Sequence, residues 1–594
     1  MDTEKLDQVP SGPIPDQSLP NHEEHAEKTT AAATTLPNQT SPSSYDPSLQ
    51  KNEDDEKTTP ADATKVADNA DEKPAAPTDQ QNYITGVRLA LVALSVTMVA
   101  FLVLLDMSII ATAIPRITSE FHSLQDVGWY GSAYQLASSS LQPLAGKLYS
   151  NFRSKWTFLT FFFVFELGSL LCGVATSSKM LIVARAVAGL GSAGLMNGAL
   201  TILSACVPLH KRPAYFGAMM GVSQLGIVTG PLIGGAFTEY TTWRWCFYIN
   251  LPIGGLVAIL LFLIHIPENI KPRDIPVSQI IMTRLDLIGF ALFAPAAIQF
   301  FLALDYGGNQ FAWNSATVIG LFCGAGATFI LFLVWEYFKG DEAMIPFSMV
   351  RIRAVWSACL VQLFFFGMIQ LAAYYLPIYF QAVKGATPML SGVYLLPGII
   401  SQLFAAVGSG AAVGKLGYYL PWSLASGMVS AVSNGLLSTF TPSTSTGKWI
   451  GYQILMGAGR GIGMQMALIA VQNSLPPALV SISMSLLSFS QTFGGAVFLT
   501  LGDTVFTNSL GTALRTDAPG VNPAAVVAAG ATGIRQVVRD PAQLAGVLSA
   551  YSTSVDHVFY LTVGCACAYF CCAWGMGWKD IRKKEPKEPP KEEV

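Results

Sequence analysis

The run LVALSVTMVAFLVLL occupies residues 91–105 and contains no charged side chain. A second run, FLTFFFVFELGSLL at residues 158–171, is similarly apolar and contains a single carboxylate, Glu166. A helix that crosses a bilayer needs about 20 mostly apolar residues. With their flanking residues both runs reach that length, so they predict transmembrane helices and an all-α membrane protein.

The overall composition points the same way. Hydrophobic residues make up 51% of the 594 residues, charged residues make up 12%, and the mean hydropathy is +0.44. Soluble domains carry about 25% charged residues, so this chain has too few charges to cover a water-facing surface. The formal net charge of −3 says little about partners. No segment resembles a nucleic-acid-binding protein, and we expect no such partner.

The first part of the chain differs from the rest in composition. Residues 1–84 are rich in Pro, Thr, Ala, Asp, Glu and Lys, which predicts a disordered cytoplasmic tail. No cleavable signal peptide is recognisable, so the first span is expected to direct its own insertion. The sequon at Asn38 lies in this tail and is expected to stay unmodified. We expect the nine cysteines to be free thiols, and we expect no metal or other cofactor.

Apolar runs bounded by turn signals predict about fourteen spans. Lys and Arg concentrate in the short loops that follow even-numbered spans, which places both termini in the cytoplasm by the positive-inside rule. One long outer loop, residues 509–555, carries Ala-rich and Val-rich segments that predict short helices on the outer face. The spans are predicted to start near residues 86, 127, 156, 180, 214, 246, 285, 316, 355, 390, 420, 449, 480 and 557.

The second half of the chain echoes the first. Pro115 lies 119 residues before Gly234, and Pro377 lies 117 residues before Gly494. The string GKLYSNFRSKW at 146–156 is echoed by GKLGYYLPW at 414–422. Parallel repeats of this kind mark secondary transporters. The predicted organisation is a six-helix bundle at 85–266, two linker spans within 267–353, a second six-helix bundle at 354–578 and a cytoplasmic tail at 579–594.

Four charged residues fall inside predicted spans, where a charge needs a partner, a water-filled cavity or a function. Asp106 lies 18 residues beyond Arg88, or about 27 Å along the first helix, and Arg185 lies near the outer end of the fourth. Their similar depth predicts that they pair directly or through water. Glu166 and Arg460 fall near the midplane, where Glu166 is either a proton or cation site or a structural polar contact.

The fifth span carries three glycines on one face. Gly226, Gly230 and Gly234 are spaced at i, i+4 and i+8, with Pro231 and Gly235 beside them. Such a face permits very close helix contact, and the proline allows the helix to bend. Ordinary small-residue packing explains the glycines equally well.

Polar and aromatic residues within the spans predict a large amphipathic cavity. Such a cavity suits a bulky, mostly apolar organic molecule better than a sugar or a metal ion. Taken singly, each residue fits a helix contact or an interface anchor as well. The candidates are Gln135, Tyr374, Tyr375, Gln381, Arg460, Gln465 and Gln491, with Gln142, Phe162 and Trp129 beside them.

Seven strings together resemble the major facilitator superfamily, specifically the fourteen-span drug:proton antiporters of its fungal toxin and multidrug efflux branch. The resemblance covers residues 86–577 and implies a major facilitator fold, with two six-helix bundles and two additional spans. The strings are LDMSIIATAIPRI at 105–117, GKLYSNFRSKW at 146–156, LIVARAVAGLGSAG at 181–194, GIVTGPLIGG at 226–235, WRWCFYINLPIGG at 243–255, YYLPIYFQAVKGATPMLSGVYLLP at 374–397 and GYQILMGAGRGIGMQ at 451–465.

The resemblance also implies roles for individual residues. Arg185 is expected to take part in proton coupling, Asp106 to belong to the outer charge network, and the glycine face of the fifth span to favour antiport. The family's inner-loop motif is assigned to the string that contains Gly146, Leu148, Arg153 and Lys155. It departs from the family pattern at Ser150, which replaces an acidic residue, at Asn151, which replaces a basic one, and at Arg153, which replaces a glycine. The gating salt bridge of the family therefore lacks its acidic partner here.

The leading interpretation is a proton-coupled exporter of a hydrophobic or amphipathic metabolite, toxin or drug, acting by alternating access. Its expected partners are a lipophilic small molecule, protons and the lipid bilayer, and we expect a monomer. The alternatives are a nutrient or siderophore symporter of the same fold and a membrane sensor. No ATP-binding loop or catalytic constellation is recognisable, so we do not expect an enzyme. The plasma membrane is the expected location, with the vacuolar membrane as the alternative.

Overall fold

The computed structural model describes residues 83–122, 126–267, 276–308 and 310–582. The predicted tail 1–84, apart from its last two residues, lies outside these ranges, as do the sequon at Asn38 and most of the tail 579–594. In the described ranges the regular structure is helical, apart from two isolated bridges.

Fourteen long helical segments follow one another along the described chain. Thirteen of them begin within three residues of a predicted start. The last begins at Pro541, sixteen residues before the predicted position 557. The helices are α1 Gly86–Phe121, α2 Val127–Asn151, α3 Ser154–Gly173, α4 Ser178–Cys206, α5 Arg212–Tyr240, α6 Trp245–Leu263, α7 Leu287–Tyr306, α8 Ala316–Lys339, α9 Arg353–Ala382, α10 Met389–Leu416, α11 Leu420–Leu437, α12 Thr446–Ser474, α13 Pro477–Asp517 and α14 Pro541–Ala573.

Twelve of these helices are long and apolar enough to cross a membrane. The other two, α2 and α11, carry more polar residues, and several of these contact neighbouring helices. The Gln142 amide of α2 donates to the Thr492 hydroxyl of α13 at 3.2 Å. The Ser426 hydroxyl of α11 donates to the Gly459 carbonyl of α12 at 2.7 Å. Polar side chains satisfied in this way explain why two helices inside the bundles are less apolar than the rest.

Each half of the molecule is held together by direct helix contacts. In the first half α1 packs on α5, α4 packs on α2 and α3, and α6 lies against α1 and α3. In the second half α9 packs on α13 and α14, and α12 packs on α10 and α11. Glycines set the shortest distances: a Cβ at Gly168 of α3 would clash with Ala188 of α4. Small residues at such contacts let helix backbones approach closely in lipid.

The two halves meet at the end of the molecule where α2 ends and α3 begins, here called the α2–α3 end. Asn197 of α4 donates to the Ser485 hydroxyl of α13 at 2.6 Å. Arg212, at the start of α5, donates to the Gln472 side chain near the end of α12 at 3.0 Å. Gly410 of α10 lies against the backbone of Pro213, so α5 and α10 are also in contact there. The halves are therefore closed against each other at this end.

The two additional helices, α7 and α8, pack on each other, and α7 fills the groove between α2 and α13. Aromatic side chains make this contact. Phe293 of α7 lies 5.1 Å from Phe489 of α13, and Phe300 lies 5.0 Å from Phe493, measured between ring centroids. Edge-to-face and stacked pairs at such distances contribute beyond their buried area. The additional pair thus contacts both halves.

Buried carboxylates fix the α2–α3 end of this additional pair. Asp286, just before α7, accepts hydrogen bonds from the Trp335 indole at 2.8 Å and from the Met344 amide at 2.9 Å. Glu336 of α8 accepts from the same Met344 amide at 3.0 Å. Lys147 of the inner-loop motif donates to the Glu342 carbonyl at 3.2 Å. The motif that lacks its acidic residue is therefore tied to the connection that follows α8.

The connection between α13 and α14 is shorter than the predicted loop 509–555. Helix α13 continues to Asp517, and α14 begins at Pro541. Between them lies a short helical segment, Pro523–Val537, with a kink at Gly530, where φ is +63°. Its Arg535 donates to the Ala382 and Val383 carbonyls at 2.8 and 3.2 Å, which caps the end of α9.

We predict that Gly410→Leu lowers the melting temperature far more than Gly408→Leu. A side chain at 410 meets the backbone of Pro213 and Ala214, whereas a Cβ at 408 meets nothing within 4 Å. Both changes add the same helix propensity, so the difference isolates the contact between α5 and α10. Overpacking of this kind costs about 1–3 kcal/mol. Equal melting temperatures of the two purified variants in detergent would contradict this closed end.

Candidate functional site

An ion pair lies inside the first half of the molecule. The Arg185 guanidinium of α4 donates to the Asp106 carboxylate of α1 at 2.6 Å, and the two side chains are 1% and 0% exposed. Its Nε also donates to the Tyr130 carbonyl of α2 at 2.9 Å. The direct contact expected from their matching depth in the sequence is therefore present, and it joins three helices.

Two further helices contribute to this pair. The Asn250 amide of α6 donates to the second Asp106 oxygen at 3.3 Å and to the Ser169 hydroxyl of α3 at 3.1 Å. The Tyr134 ring lies 4.5 Å from the Arg185 guanidinium carbon, a distance that favours a cation–π contact. The result is a buried polar cluster in which charge is compensated within the protein.

Glu166 lies one helical turn from Ser169 on α3, with its carboxylate against Gly254 of α6. Both carboxylate oxygens are buried, and neither has a hydrogen-bond partner among the described residues. A side chain at position 254 would occupy the space taken by this carboxylate. An ionised carboxylate without donors is costly in such a place. Glu166 therefore differs from Asp106, whose carboxylate has partners on two helices.

The glycine face of α5 lies directly on α1 beside Asp106. A Cβ at Gly226 would come within 2.7 Å of the Phe101 carbonyl, and one at Gly234 within 2.8 Å of the Ile109 carbonyl. Gly230 lies against Ser108 and Ile109, and the Ser108 hydroxyl donates to the Gly226 carbonyl at 3.0 Å. Gly235 has open space beside it, so it does not belong to this contact. Pro231 lies within the helix.

The inner-loop motif performs packing and capping at the α2–α3 end. Gly146 allows α2 to approach α13, since a Cβ there would lie 2.7 Å from the Ser485 hydroxyl oxygen. Lys155 donates to the Phe262 and Ile264 carbonyls at 2.7 and 2.8 Å, at the end of α6. Such a cation satisfies carbonyls that the helix leaves free. Leu148 is partly buried, and Arg153 is exposed.

Arg460 lies inside the second half, on α12. Its side chain is 5% exposed, and its Nη2 donates to the Met368 carbonyl of α9 at 2.8 Å. Its Nε has no hydrogen-bond partner among the described residues. Glu166 and Arg460, which share a predicted depth, therefore lie in different halves and do not pair.

Two of the other cavity candidates make hydrogen bonds within the second half. Gln465 is fully buried and donates to the Ala406 carbonyl of α10 at 2.9 Å, which makes it a helix contact. Gln381 donates to the Ser391 hydroxyl at 2.9 Å, across the short connection between α9 and α10. Tyr375 packs in the core of the second half, whereas Tyr374 is 56% exposed. Gln135 and Gln491 are partly buried.

One cavity of about 230 Å³ lies elsewhere, between α9, α13, α14 and the segment Pro523–Val537. Its lining is mostly apolar, and none of the sequence candidates contributes to it. The lining residues are Ile378, Phe506, Thr507, Leu510, Gly530, Ala531 and Tyr551.

Sequence reasoning missed Asn250 and Ser169, which complete the polar cluster around Asp106. Asn250 falls inside the string WRWCFYINLPIGG, and an amide within an apolar span is itself a signal of a polar contact. It also missed Asn434 and Gln453 in the second half. Asn434 Oδ1 and both Gln453 side-chain polar atoms are buried without a hydrogen-bond partner. An unsatisfied polar atom cannot be recognised before the packing is known.

Residues 96–499 match the family described as the Major Facilitator Superfamily. The chain is 61% identical to the MFS-type transporter pigP of Monascus ruber over 90% of this chain and 96% of that protein. It is 55% identical to the efflux pump mlcE of Penicillium citrinum over 85% and 93%, and 41% identical to the MFS-type efflux pump MFS1 of Trichophyton rubrum over 85% and 94%. The protein belongs to the major facilitator superfamily, in the branch that contains these fungal efflux pumps.

We predict that Arg185→Gln is less stable than the double variant Asp106→Asn with Arg185→Gln. The single change leaves the Asp106 carboxylate buried without its guanidinium, which costs about 3–5 kcal/mol. The double change removes both charges and leaves polar groups of similar size. Thermal melting of the purified proteins provides the comparison, and a double variant less stable than Arg185→Gln would show that the pair is not the stabilising unit.

Proposed function

We propose that this protein is a proton-coupled efflux transporter that exports an amphipathic or hydrophobic small molecule, such as a fungal secondary metabolite. The observation that carries the proposal is Glu166, whose buried carboxylate oxygens have no hydrogen-bond partner among the described residues. It lies one turn from Ser169, which Asn250 links to the Asp106–Arg185 pair. Similarity to fungal efflux pumps over most of the chain supports the direction of transport. A monomer in the plasma membrane is part of the proposal.

The arrangement places a second acid near the ion pair. The Asn250 amide donates to both Asp106 and Ser169, and Glu166 lies one turn from Ser169 along α3. One helical turn is about 5.4 Å. A proton that neutralises Asp106 would release Arg185 from its carboxylate, and loss of that proton would restore the pair. Protonation would in this way be coupled to the position of α4 relative to α1.

The closed α2–α3 end supports a conformational assignment. With both termini in the cytoplasm, this end faces the cytoplasm, so the structure represents a state closed to the cell interior. Opening would require the glycine contacts between α5 and α10 to separate. The glycine face of α5 on α1 would meanwhile keep the first half rigid around Asp106. Alternating access then consists of the two halves rocking about these contacts.

We predict that Glu166→Gln abolishes transport driven by a pH gradient but retains exchange of substrate at equal pH. Glutamine has the size of the acid but cannot bind or release a proton. Reconstituted vesicles with an imposed pH gradient, loaded with a lipophilic fluorescent dye that the wild type moves, separate the two activities.

The matched control is Glu239→Gln, which removes an exposed carboxylate at the end of α5. It should transport like the wild type in both assays. If Glu166→Gln still concentrates the dye against its gradient at the wild-type rate, Glu166 is not the coupling group. Transport by the wild type that persists after full uncoupling would rule out proton antiport altogether.

A further inference from the structure

The second half contains a buried positive charge without a carboxylate partner in the part of the chain that the structure describes. The Arg460 guanidinium donates a hydrogen bond to the Met368 carbonyl at 2.8 Å. None of the described carboxylates forms a salt bridge with it within 4 Å. Arginine stays protonated in proteins, so it cannot escape the cost of burial by losing its proton. A buried guanidinium without a carboxylate partner is a favourable place for an anionic ligand.

The ion pair of the first half shows what compensation looks like in the same fold. Arg185 is as deeply buried as Arg460, yet it contacts the Asp106 carboxylate at 2.6 Å. The carboxylates carried by α13 and α14 are Asp503, Asp517 and Asp556, and none of them pairs with Arg460 within 4 Å. The first half therefore carries an ion pair, and the second carries an isolated cation.

An amide of α11 lies near this cation. The Asn434 side chain contacts the Met368 sulfur at 4.0 Å, so it lies at the residue whose carbonyl Arg460 contacts.

The Arg460 guanidinium has an unused hydrogen-bond donor. Its Nε is buried without a hydrogen-bond partner among the described residues, and so is Asn434 Oδ1. Buried polar groups are normally satisfied, so an unused donor on a buried cation favours a ligand at this residue.

We propose that Arg460 binds the carboxylate of the exported molecule, which is therefore an amphipathic organic acid. This inference rests on the proposed export function and specifies its substrate class. The planar guanidinium matches a carboxylate with two parallel hydrogen bonds, and this match is stronger than a contact with a spherical ion. The two side chains that the contacts place near the guanidinium, Met368 and Asn434, are uncharged, so they leave the carboxylate of such a molecule without a competing anion.

The test uses the full-length protein in lipid nanodiscs and two fluorescent probes, 1-pyrenebutyrate and its methyl ester. The two probes differ only in the charge. Wild-type protein should bind the acid more tightly than the ester, and Arg460→Gln should weaken acid binding by about tenfold or more with little effect on the ester. Arg515→Gln, which removes an exposed arginine near the end of α13, should bind both probes like the wild type.

A second variant does not depend on the stability of Arg460→Gln. Asn434→Asp is nearly isosteric and supplies an internal carboxylate at the Met368 contact. It should preserve or raise the melting temperature and weaken acid binding to the same extent as Arg460→Gln. Arg460→Lys keeps the charge but not the planar fork, so its acid affinity should be intermediate.

Three results would overturn the proposal. The first is acid binding no tighter than ester binding, and the second is equal loss of both probes in Arg460→Gln. The third is a melting temperature of the wild type that rises with chloride but not with isethionate, while that of Arg460→Gln does not rise with either. That result would assign the site to an inorganic anion. Export of the ester in vesicles under a pH gradient is measured separately. If the ester is exported but Arg460→Gln binds the acid as tightly as the wild type does, the efflux function stands and only the substrate class is wrong.

Discussion

The cost of placing an ionised side chain in a membrane governs this structure. It is met in the first half by the contact between Arg185 and Asp106, which holds α1, α2 and α4 together with the help of the Tyr130 carbonyl. Asn250 adds α6 and, through Ser169, α3. Because one ion pair connects five helices of the bundle, a change in its charge state acts on all of them at once. That property suits a group that couples protonation to movement.

The glycine face of α5 gives this ion pair a fixed frame. Gly226 and Gly234 bring the α5 backbone against α1 on either side of Ser108, close to Asp106. Any side chain there would push α1 away and lengthen the contact with Arg185. Gly410 of α10 plays a different part, because it lies at the contact between the halves, whereas Gly461 of α12 packs on α10 within the second half. Close packing thus stabilises each half internally and also allows the halves to meet.

The depth of a residue along its helix could be predicted from the sequence, but the neighbouring helix that its side chain faces could not. Asp106 lies 18 residues beyond Arg88, and Arg185 lies near the outer end of α4, so the sequence placed both at the same depth in the membrane. That shared depth predicted their ion pair. Glu166 and Arg460 have similar depths but lie in different halves. For Gln465 the sequence could not decide between a cavity lining and a helix contact, since only the packing shows that it contacts Ala406. The predicted start of α14 was wrong because it was taken from the apolar run near residue 557. Residues 541–556 include polar side chains, yet they are part of the same helix.

The two halves share a fold but differ in charge, and the difference suggests a division of work. The first half holds a compensated ion pair and the acid Glu166, and in the proposed mechanism it changes its charge by one proton. The second half holds the positive charge of Arg460, with no carboxylate within 4 Å among the described residues. A fixed cation cannot respond to pH, but it can select an anion. If the proton is bound by one half and the cargo by the other, the energetic coupling between them must pass through the contacts that join the halves. Those contacts are made by α2, α4 and α5 with α10, α12 and α13, the same helices that carry Arg185 and Arg460 or pack directly against them.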